Sequence, residues 1–223
     1  WREPIELGLL RRGGSEALER FVVRHPDSVA GLALFTERCL EEGRPQLAIT
    51  RLVDRVEEKP AHPRLRVLAA RALMAAGDDK AAYAHLRVAV NLDPENAEAQ
   101  RELAEALVRA ERNDEADQIL RALLQRNPND AETLVRLGRL ADREGLFSEA
   151  ERHFRRAQEL APRNGDALAG LAEVLVRLGK PEEAVPFARR AAREQPNRAY
   201  PHLWLARALQ AVNPDANPAE IEA

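Results

Sequence analysis

The sequence predicts an all-α fold, a solenoid of tandem antiparallel helix pairs, and two observations carry that prediction. Six prolines lie 34 residues apart, at Pro26, Pro60, Pro94, Pro128, Pro162 and Pro196. Because proline lacks a backbone N–H and cannot continue a helix, six even breaks indicate six copies of one short unit. The 223 residues are rich in Ala, Leu, Glu and Arg, and only 4% are aromatic. This composition favours helices over a β-sandwich or barrel.

The proline frame divides the chain into seven segments. They are a degenerate partial repeat over 1–28, five full repeats over 29–62, 63–96, 97–130, 131–164 and 165–198, and a C-terminal helix with a truncated partial repeat over 199–223. In the first segment, Gly13-Gly14 precedes a shortened helix that begins near Ser15. In the last, a helix is expected over 199–212, and Pro218–Ala223 is interpreted as the start of another. We expect Trp204 and Leu205 to be poorly shielded, which indicates either a longer array or an end that docks on another molecule.

Each full repeat is predicted to contain two helices, A and B, that cross at small residues. Position 20, on helix B, is always alanine: Ala48, Ala82, Ala116, Ala150 and Ala184. Position 8, on helix A, is always small: Thr36, Ala70, Ala104, Gly138, Ala172 and, in the last segment, Ala206. Small residues on both helices allow a close approach, so we expect tight crossings.

Turn and cap residues recur in the same frame. Gly43, Gly77, Gly145 and Gly179 fall where helix A should end in a left-handed conformation. In the third full repeat Glu111 takes this position, and we expect an altered turn in which Asn113 adopts the positive φ. Pro45 and Pro181 suit the first turn of helix B. Asn96, Asp130 and Asn164 are predicted N-caps of helix A, and Pro186 should kink its helix or remove a hydrogen bond.

The repeat at 131–164 carries the clearest pattern, with Leu134, Leu137 and Gly138 followed by Ala150, Phe154, Ala157 and Pro162. It resembles the tetratricopeptide repeat, whose pattern is W-x₂-L-G-x₂-Y, A-x₃-F and then P. Leu, Ala or Cys replaces the Trp and Tyr in this chain. The resemblance extends over essentially the whole sequence and implies a right-handed α-solenoid in which helices A line a concave groove. Lysine occurs only as Lys59, Lys80 and Lys180, which favours a GC-rich, bacterial source.

The resemblance makes the groove the candidate peptide-binding site. Its position 9 alternates in charge through Glu37, Arg71, Glu105, Arg139, Glu173 and Arg207. We favour a structural ladder of ion pairs between neighbouring helices A, although guanidinium groups offered to a partner's carboxylates are the alternative. The candidate binding residues are Arg64, Arg71, Arg101, Glu105, Arg109, Arg136, Arg139, Arg143, Glu173, Arg177 and Arg207. Because positions 5 and 9 lack the Lys/Asn clamp of chaperone-tail binders, an Hsp70/Hsp90 co-chaperone is excluded.

The sequence shows no catalytic or metal-binding constellation. Its five histidines do not pair with Cys, Asp or His at metal-ligand spacing, and no glycine-rich phosphate loop is present. His85 and His153 are expected on exposed helix faces. Cys39, the only cysteine, is expected to be a buried and inert thiol. The sequence therefore predicts neither an enzyme nor a cofactor-binding protein.

These observations predict a non-catalytic protein–protein interaction scaffold that holds a protein or peptide segment in its groove. The charged and apolar groove suits a partner segment with acidic and apolar residues. Family analogy suggests a bacterial secretion, envelope or assembly complex, in the cytoplasm or the periplasm. One alternative is the recognition domain of a larger enzyme such as a transferase. RNA binding is a third interpretation, which the net charge of −3 disfavours. We expect no membrane span, and self-association through exposed ends remains open.

Overall fold

The computed structural model describes residues 14–214, and every regular element within them is an α-helix. The twelve helices are α1 (Ser15–Arg24), α2 (Val29–Glu41), α3 (Pro45–Glu58), α4 (Pro63–Ala75), α5 (Asp79–Leu92), α6 (Ala97–Arg109), α7 (Asn113–Arg126), α8 (Ala131–Arg143), α9 (Phe147–Leu160), α10 (Gly165–Arg177), α11 (Pro181–Glu194) and α12 (Ala199–Val212). The even-numbered helices correspond to helix A and the odd-numbered ones to helix B. The fold class is therefore the predicted all-α class of tandem helix pairs.

The chain forms two compact units, residues 1–116 and 117–223, whose boundary falls inside α7. In unit 1, each helix from α1 to α6 packs against the next, and α4 packs beside both α2 and α6. In unit 2, the same holds from α8 to α12, with α10 packed beside both α8 and α12. Helices A of one unit thus lie side by side on one face. The division into seven segments stays a prediction.

Helix starts follow from short-range chemistry, as predicted. The side chain of Asn96 accepts a hydrogen bond from the Ala99 N–H at 2.9 Å, and that of Asn164 accepts one from Ala167 at 3.0 Å. Asp130 caps α8 through the N–H groups of Glu132 and Thr133. Pro45 and Pro181 occupy the first turns of α3 and α11. These caps satisfy N–H groups that a helix start otherwise leaves unpaired.

The turns between helices A and B place one residue at positive φ. Gly43, Gly77, Gly145 and Gly179 have φ between 67° and 85°, as predicted. In the third full repeat the prediction was wrong, because Glu111 itself adopts φ 59° while Asn113 is the first residue of α7. The reason is the hydrogen bonding of the turn. The Glu111 N–H donates to Val108 and the next N–H to Leu107, in the same pattern that surrounds Gly77.

Within the helices, Pro186 is accommodated, and the small residues at the crossings are buried except at Ala206. Helix α11 continues through Pro186 without a break, and this exposed proline removes only the one hydrogen bond that its missing N–H would make. The alanines at position 20, from Ala48 to Ala184, are all fully buried. At the position 8 crossing point, Ala206 of α12 is exposed, unlike its counterparts in α2, α4, α6, α8 and α10.

Trp204 was expected to be poorly shielded, and that expectation was wrong, because the residue is only 5% exposed. The guanidinium groups of Arg177 and Arg207 lie over its ring, 5.7 and 4.7 Å from the centroid. Such cation–π contacts cover an aromatic face without an apolar partner. Leu205 is partly buried. Pro218–Ala223, interpreted above as the start of a helix, lies outside the described residues.

Candidate functional site

In unit 1, the predicted groove residues lie on α4 and α6. Arg64 is exposed, and a guanidinium nitrogen of Arg71 lies 3.9 Å from a carboxylate oxygen of Glu37 on α2. Arg109 is held at the start of α5, where it bonds Asp79 at 2.6 Å and donates to the Met74 carbonyl at 3.0 Å. Arg101 and Glu105 are half-buried. In this unit the structure therefore commits Arg109 to an internal contact.

In unit 2, side chains from α8, α10 and the start of α12 meet around one pocket of about 380 Å³. Three predicted residues line it, namely Arg139 and Arg143 of α8 and Glu173 of α10. The remaining lining residues were not among the candidate binding residues; they are Asp142, Phe154, Asp166, Gln195, Arg198 and Tyr200. Arg136 is half-buried on α8, whereas Arg177 and Arg207 border a second groove described below.

One side of the pocket is organised by Asp166, near the start of α10. Its Oδ1 atom lies 3.1 Å from Arg139 and 3.2 Å from Arg198. The Gln195 side-chain amide donates a hydrogen bond to the same oxygen at 3.3 Å. A single carboxylate therefore balances two guanidinium groups, which leaves this side of the pocket with a positive excess.

The other side is organised by Glu173, which is only 8% exposed. Its Oε1 accepts a hydrogen bond from Arg177 at 2.6 Å, and its Oε2 accepts one from the Tyr200 hydroxyl. Arg177 also approaches Asp142 at 3.5 Å. Burial, reinforced by the neighbouring Glu173 carboxylate, raises the pKa of Asp142. Burial and the bond to Glu173 likewise raise the pKa of Tyr200. Two carboxylates therefore share one guanidinium, which gives this side a negative excess.

The charge ladder predicted at position 9 forms only in part. The Glu37–Arg71 contact exists. In unit 2 the prediction was wrong, because Arg139 bonds Asp166 and Glu173 bonds Arg177 of its own helix. An i,i+4 spacing places Arg177 directly beside Glu173, so this local pair forms in preference to one between helices.

A second groove of about 640 Å³ runs between the C-terminal end of α10 and the middle and C-terminal end of α12. It is lined by Val176, Arg177, Trp204, Arg207, Gln210, Ala211 and Pro214. Within residues 14–214, the buried Nε1 of Trp204 has no hydrogen-bond partner. Arg207 is exposed and stacks on the indole ring. Arg177 separates this groove from the pocket, because it contacts Glu173 on one side and Trp204 on the other.

The burial of Cys39 was predicted correctly from the sequence, whereas that of two histidines was not. His85 and His153 are half-buried rather than exposed, and burial lowers the pKa of each. His153 lies 3.5 Å from Glu149 one turn earlier on the same helix, which draws its ring onto the helix surface. Cys39 is buried, as predicted, and burial raises the pKa of its thiol to about 11. A thiol of this kind is unreactive near neutral pH.

The described part of the chain offers no metal-binding cluster and no membrane span. Among residues 14–214, no group of three or more His, Cys, Asp and Glu side chains is arranged to hold a metal ion. No helix in that range combines the length and the apolar character needed to cross a bilayer.

Comparison with known proteins adds family and fold relationships. Two family models of the tetratricopeptide repeat match residues 80–137 and 135–199, which together exceed half of the chain. A search of curated proteins found no match.

Solved structures with a similar fold include other tetratricopeptide repeat proteins. TTC0263, a thermophilic repeat protein of Thermus thermophilus, has a TM-score of 0.72 at 21% identity, over 82% of this chain and 99% of that one. A chain of the APC/C hetero-tetramer Cut9-Hcn1 has a TM-score of 0.68 at 16% sequence identity. The match covers 87% of this chain and 39% of that one. YrrB, a repeat protein with an unusual peptide-binding site, has a TM-score of 0.50 at 19% sequence identity. The match covers 85% of this chain and 98% of YrrB. At these identities the likeness shows the fold alone.

Proposed function

Because the chain belongs to the tetratricopeptide repeat family, we propose that it is a non-catalytic scaffold that binds a segment of a partner protein. The proposed binding surface is the face formed by helices A of unit 2, with the pocket around Arg139, Arg143 and Glu173 at its centre. The observation that carries the proposal is this pocket, since three successive helices A contribute side chains to one concavity. Concave sites with a few convergent polar groups are where proteins bind ligands.

The lining of the surface supports a peptide rather than a small apolar ligand. Of the nine residues around the pocket, six carry charge and only Phe154 and Tyr200 are aromatic. The adjoining groove adds the apolar side of Val176, Ala211 and Pro214. Peptide segments supply both charged and apolar side chains along one backbone, so they match such a surface over several residues.

The fold relationship is consistent with this proposal. YrrB, one of the structural neighbours, is described as having a peptide-binding site. Carried to this chain, that description supports a peptide ligand. No feature of residues 14–214 favours the alternative of an enzyme's recognition domain, so the proposal is confined to a scaffold.

Arg143 offers the sharpest test, because it is exposed in the pocket and has no ion-pair partner among residues 14–214. A phage-displayed peptide library would be selected on the wild-type chain, and the affinity of the enriched peptides measured by calorimetry. We expect Arg143→Glu to weaken binding about tenfold or more, since it places a carboxylate beside Asp142.

Arg189→Glu is the matched control, because Arg189 is an exposed arginine on α11 outside the pocket. It makes the same change in charge and should leave the affinity unchanged. Equal affinity for the wild type and Arg143→Glu would contradict the proposed surface. Failure to enrich any peptide would contradict peptide binding itself.

A further inference from the structure

The pocket of unit 2 contains one cation that lacks an ion-pair partner. Within residues 14–214, Arg143 makes no ion pair, although its side chain is exposed and lines the pocket. Arg139 and Arg198, the other two lining cations, share the Oδ1 atom of Asp166. Arg143 is therefore the lining arginine whose guanidinium is unpaired in the described part of the chain, and it can donate to a carboxylate in a planar, bidentate geometry.

The same pocket contains hydrogen-bond acceptors that lack donors. Among the described residues, the buried atoms Asp142 Oδ1 and Gln195 Oε1 have no hydrogen-bond partner. The amide orientation of Gln195 is fixed, since its Nε2 donates to Asp166 and a flipped amide would place two acceptors together. Both residues line the pocket. Buried acceptors without donors are costly, so a ligand that supplies N–H groups gains affinity here.

Asp142 is also the less compensated of the two carboxylates around Arg177. Glu173 receives hydrogen bonds on both of its oxygens, from Arg177 and Tyr200. Asp142 has only the Arg177 Nε at 3.5 Å, beyond the usual range of an N–H···O bond. Burial and Glu173 raise the pKa of Asp142, as expected for a carboxylate short of positive partners.

A ligand of one sign would satisfy only half of the pocket. Its lining holds three guanidinium groups and three carboxylates. An acidic ligand would pair with Arg143 but would meet Asp142 and Glu173, whereas a basic ligand would meet Arg139, Arg143 and Arg198. Like charges brought together at a binding site lower affinity and select against such partners.

We propose that this pocket recognises a mixed-charge motif, in which a basic side chain donates to Asp142 and Gln195 and a neighbouring acidic side chain accepts from Arg143. The inference rests on the proposed function, since it names the class of partner segment that the surface binds. It differs from the expectation of an acidic and apolar partner, because it requires a cation at the centre of the contact.

The test titrates the full chain, labelled with ¹⁵N, with five capped dipeptides and follows the signals of the chain by NMR. The probes are acetyl-Arg-Glu-amide, acetyl-Arg-Gln-amide, acetyl-Gln-Glu-amide and acetyl-Gln-Gln-amide, together with the reversed order Glu-Arg. Binding of such small probes is weak, so shifts of the amide signals are the measurement. The side-chain amide of Gln195 serves as a direct reporter. We expect a mixed-charge probe to bind at least about threefold more tightly than either singly charged one.

Two variants separate the halves of the motif. Asp142→Asn should remove the advantage of the basic residue and keep that of the acidic one, whereas Arg143→Gln should do the reverse. Arg189→Gln, on the exposed side of α11, should change neither preference. Asp142→Asn keeps the size and shape of the side chain, and Arg143→Gln removes the charge from a side chain that is exposed.

Several results would overturn the inference. One is that acetyl-Gln-Glu-amide, whose only charge is the glutamate, binds as tightly as the mixed-charge probes. Another is that no probe shifts the amide signals of the chain. If selected peptides depend on Arg143 but contain no basic residue, the scaffold function stands and the mixed-charge inference falls. If no selected peptide depends on Arg143 and no dipeptide shifts the pocket, both fall.

Discussion

The packing of Phe154 gives a prediction whose size follows from the structure. Its ring is 1% exposed and lies between Gly138 of α8 and Gly170 of α10. A Cβ atom at Gly170 would lie 2.5 Å from two ring carbons of Phe154, and one at Gly138 would lie 2.9 Å away. Ordinary contacts of this kind begin at 3.4 Å. We therefore expect Gly170→Ala to force the ring against α8, where there is no space to receive it.

Two opposing effects set the magnitude. Overpacking a core costs about 1–3 kcal/mol, and the short distance places this site in the upper part of that range. Alanine is favoured over glycine inside a helix by about 1 kcal/mol. We expect a net loss of ~1–2 kcal/mol in the free energy of unfolding, from these two effects. For a chain of this length, that corresponds to a fall in melting temperature of roughly 2–8 °C.

The assay is urea unfolding followed by circular dichroism at 222 nm, with Phe154→Leu as a second background. The smaller leucine leaves room for the new methyl group, so Gly170→Ala should there be neutral or stabilise by up to about 1 kcal/mol. A double-mutant cycle then measures the contact between the two side chains. The reasoning is refuted if Gly170→Ala stabilises the wild-type chain, or if its effect is equal in both backgrounds.

Three further predictions concern local features. Ala150→Leu should destabilise the chain by ~1–3 kcal/mol because Ala150 is fully buried at a helix crossing; an unfolding curve like that of the control Ala84→Leu, on the exposed face of α5, would contradict this. Glu111→Gly should stabilise the chain by about 1 kcal/mol, because the left-handed conformation costs a residue with a Cβ atom but not glycine; an unchanged urea midpoint would show that the turn carries no such cost. Asp142→Asn should raise stability near pH 7 but not in acid, since the folded chain holds a proton on Asp142 more tightly than the unfolded chain does; a gain that does not diminish as the pH is lowered would exclude this cause.

The local structure of the repeats was largely predictable from the sequence. The caps at Asn96, Asp130 and Asn164 and the positive φ of the turn glycines depend on atoms a few residues apart. Glu111 shows the limit of residue preference. The hydrogen-bond register of the turn fixes which residue adopts the left-handed conformation, and Glu111 occupies that place whatever its side chain prefers.

The candidate site was predictable only in part. The stripe of groove positions selected Arg139, Arg143 and Glu173, because residues on one helix face share a period. Gln195, Arg198 and Tyr200 come from the junction of α11 and α12, which the periodicity of a single helix does not connect with α8. The ion pairs were also missed in unit 2, since the choice between Glu173 and Asp166 as a partner depends on side-chain distances of a few ångströms.

The amino-acid sequence by itself determined the all-α class, the helix-pair unit and most of its caps and turns. These follow from proline, glycine and capping residues, whose effects act within a few residues along the chain. Tertiary structure alone decided that Trp204 is covered, that Phe154 is wedged between two glycines, and that Gln195, Arg198 and Tyr200 line one pocket together with Arg143. Those features depend on which surfaces of separate helices come into contact, and contact distances through space are not encoded in any single repeat.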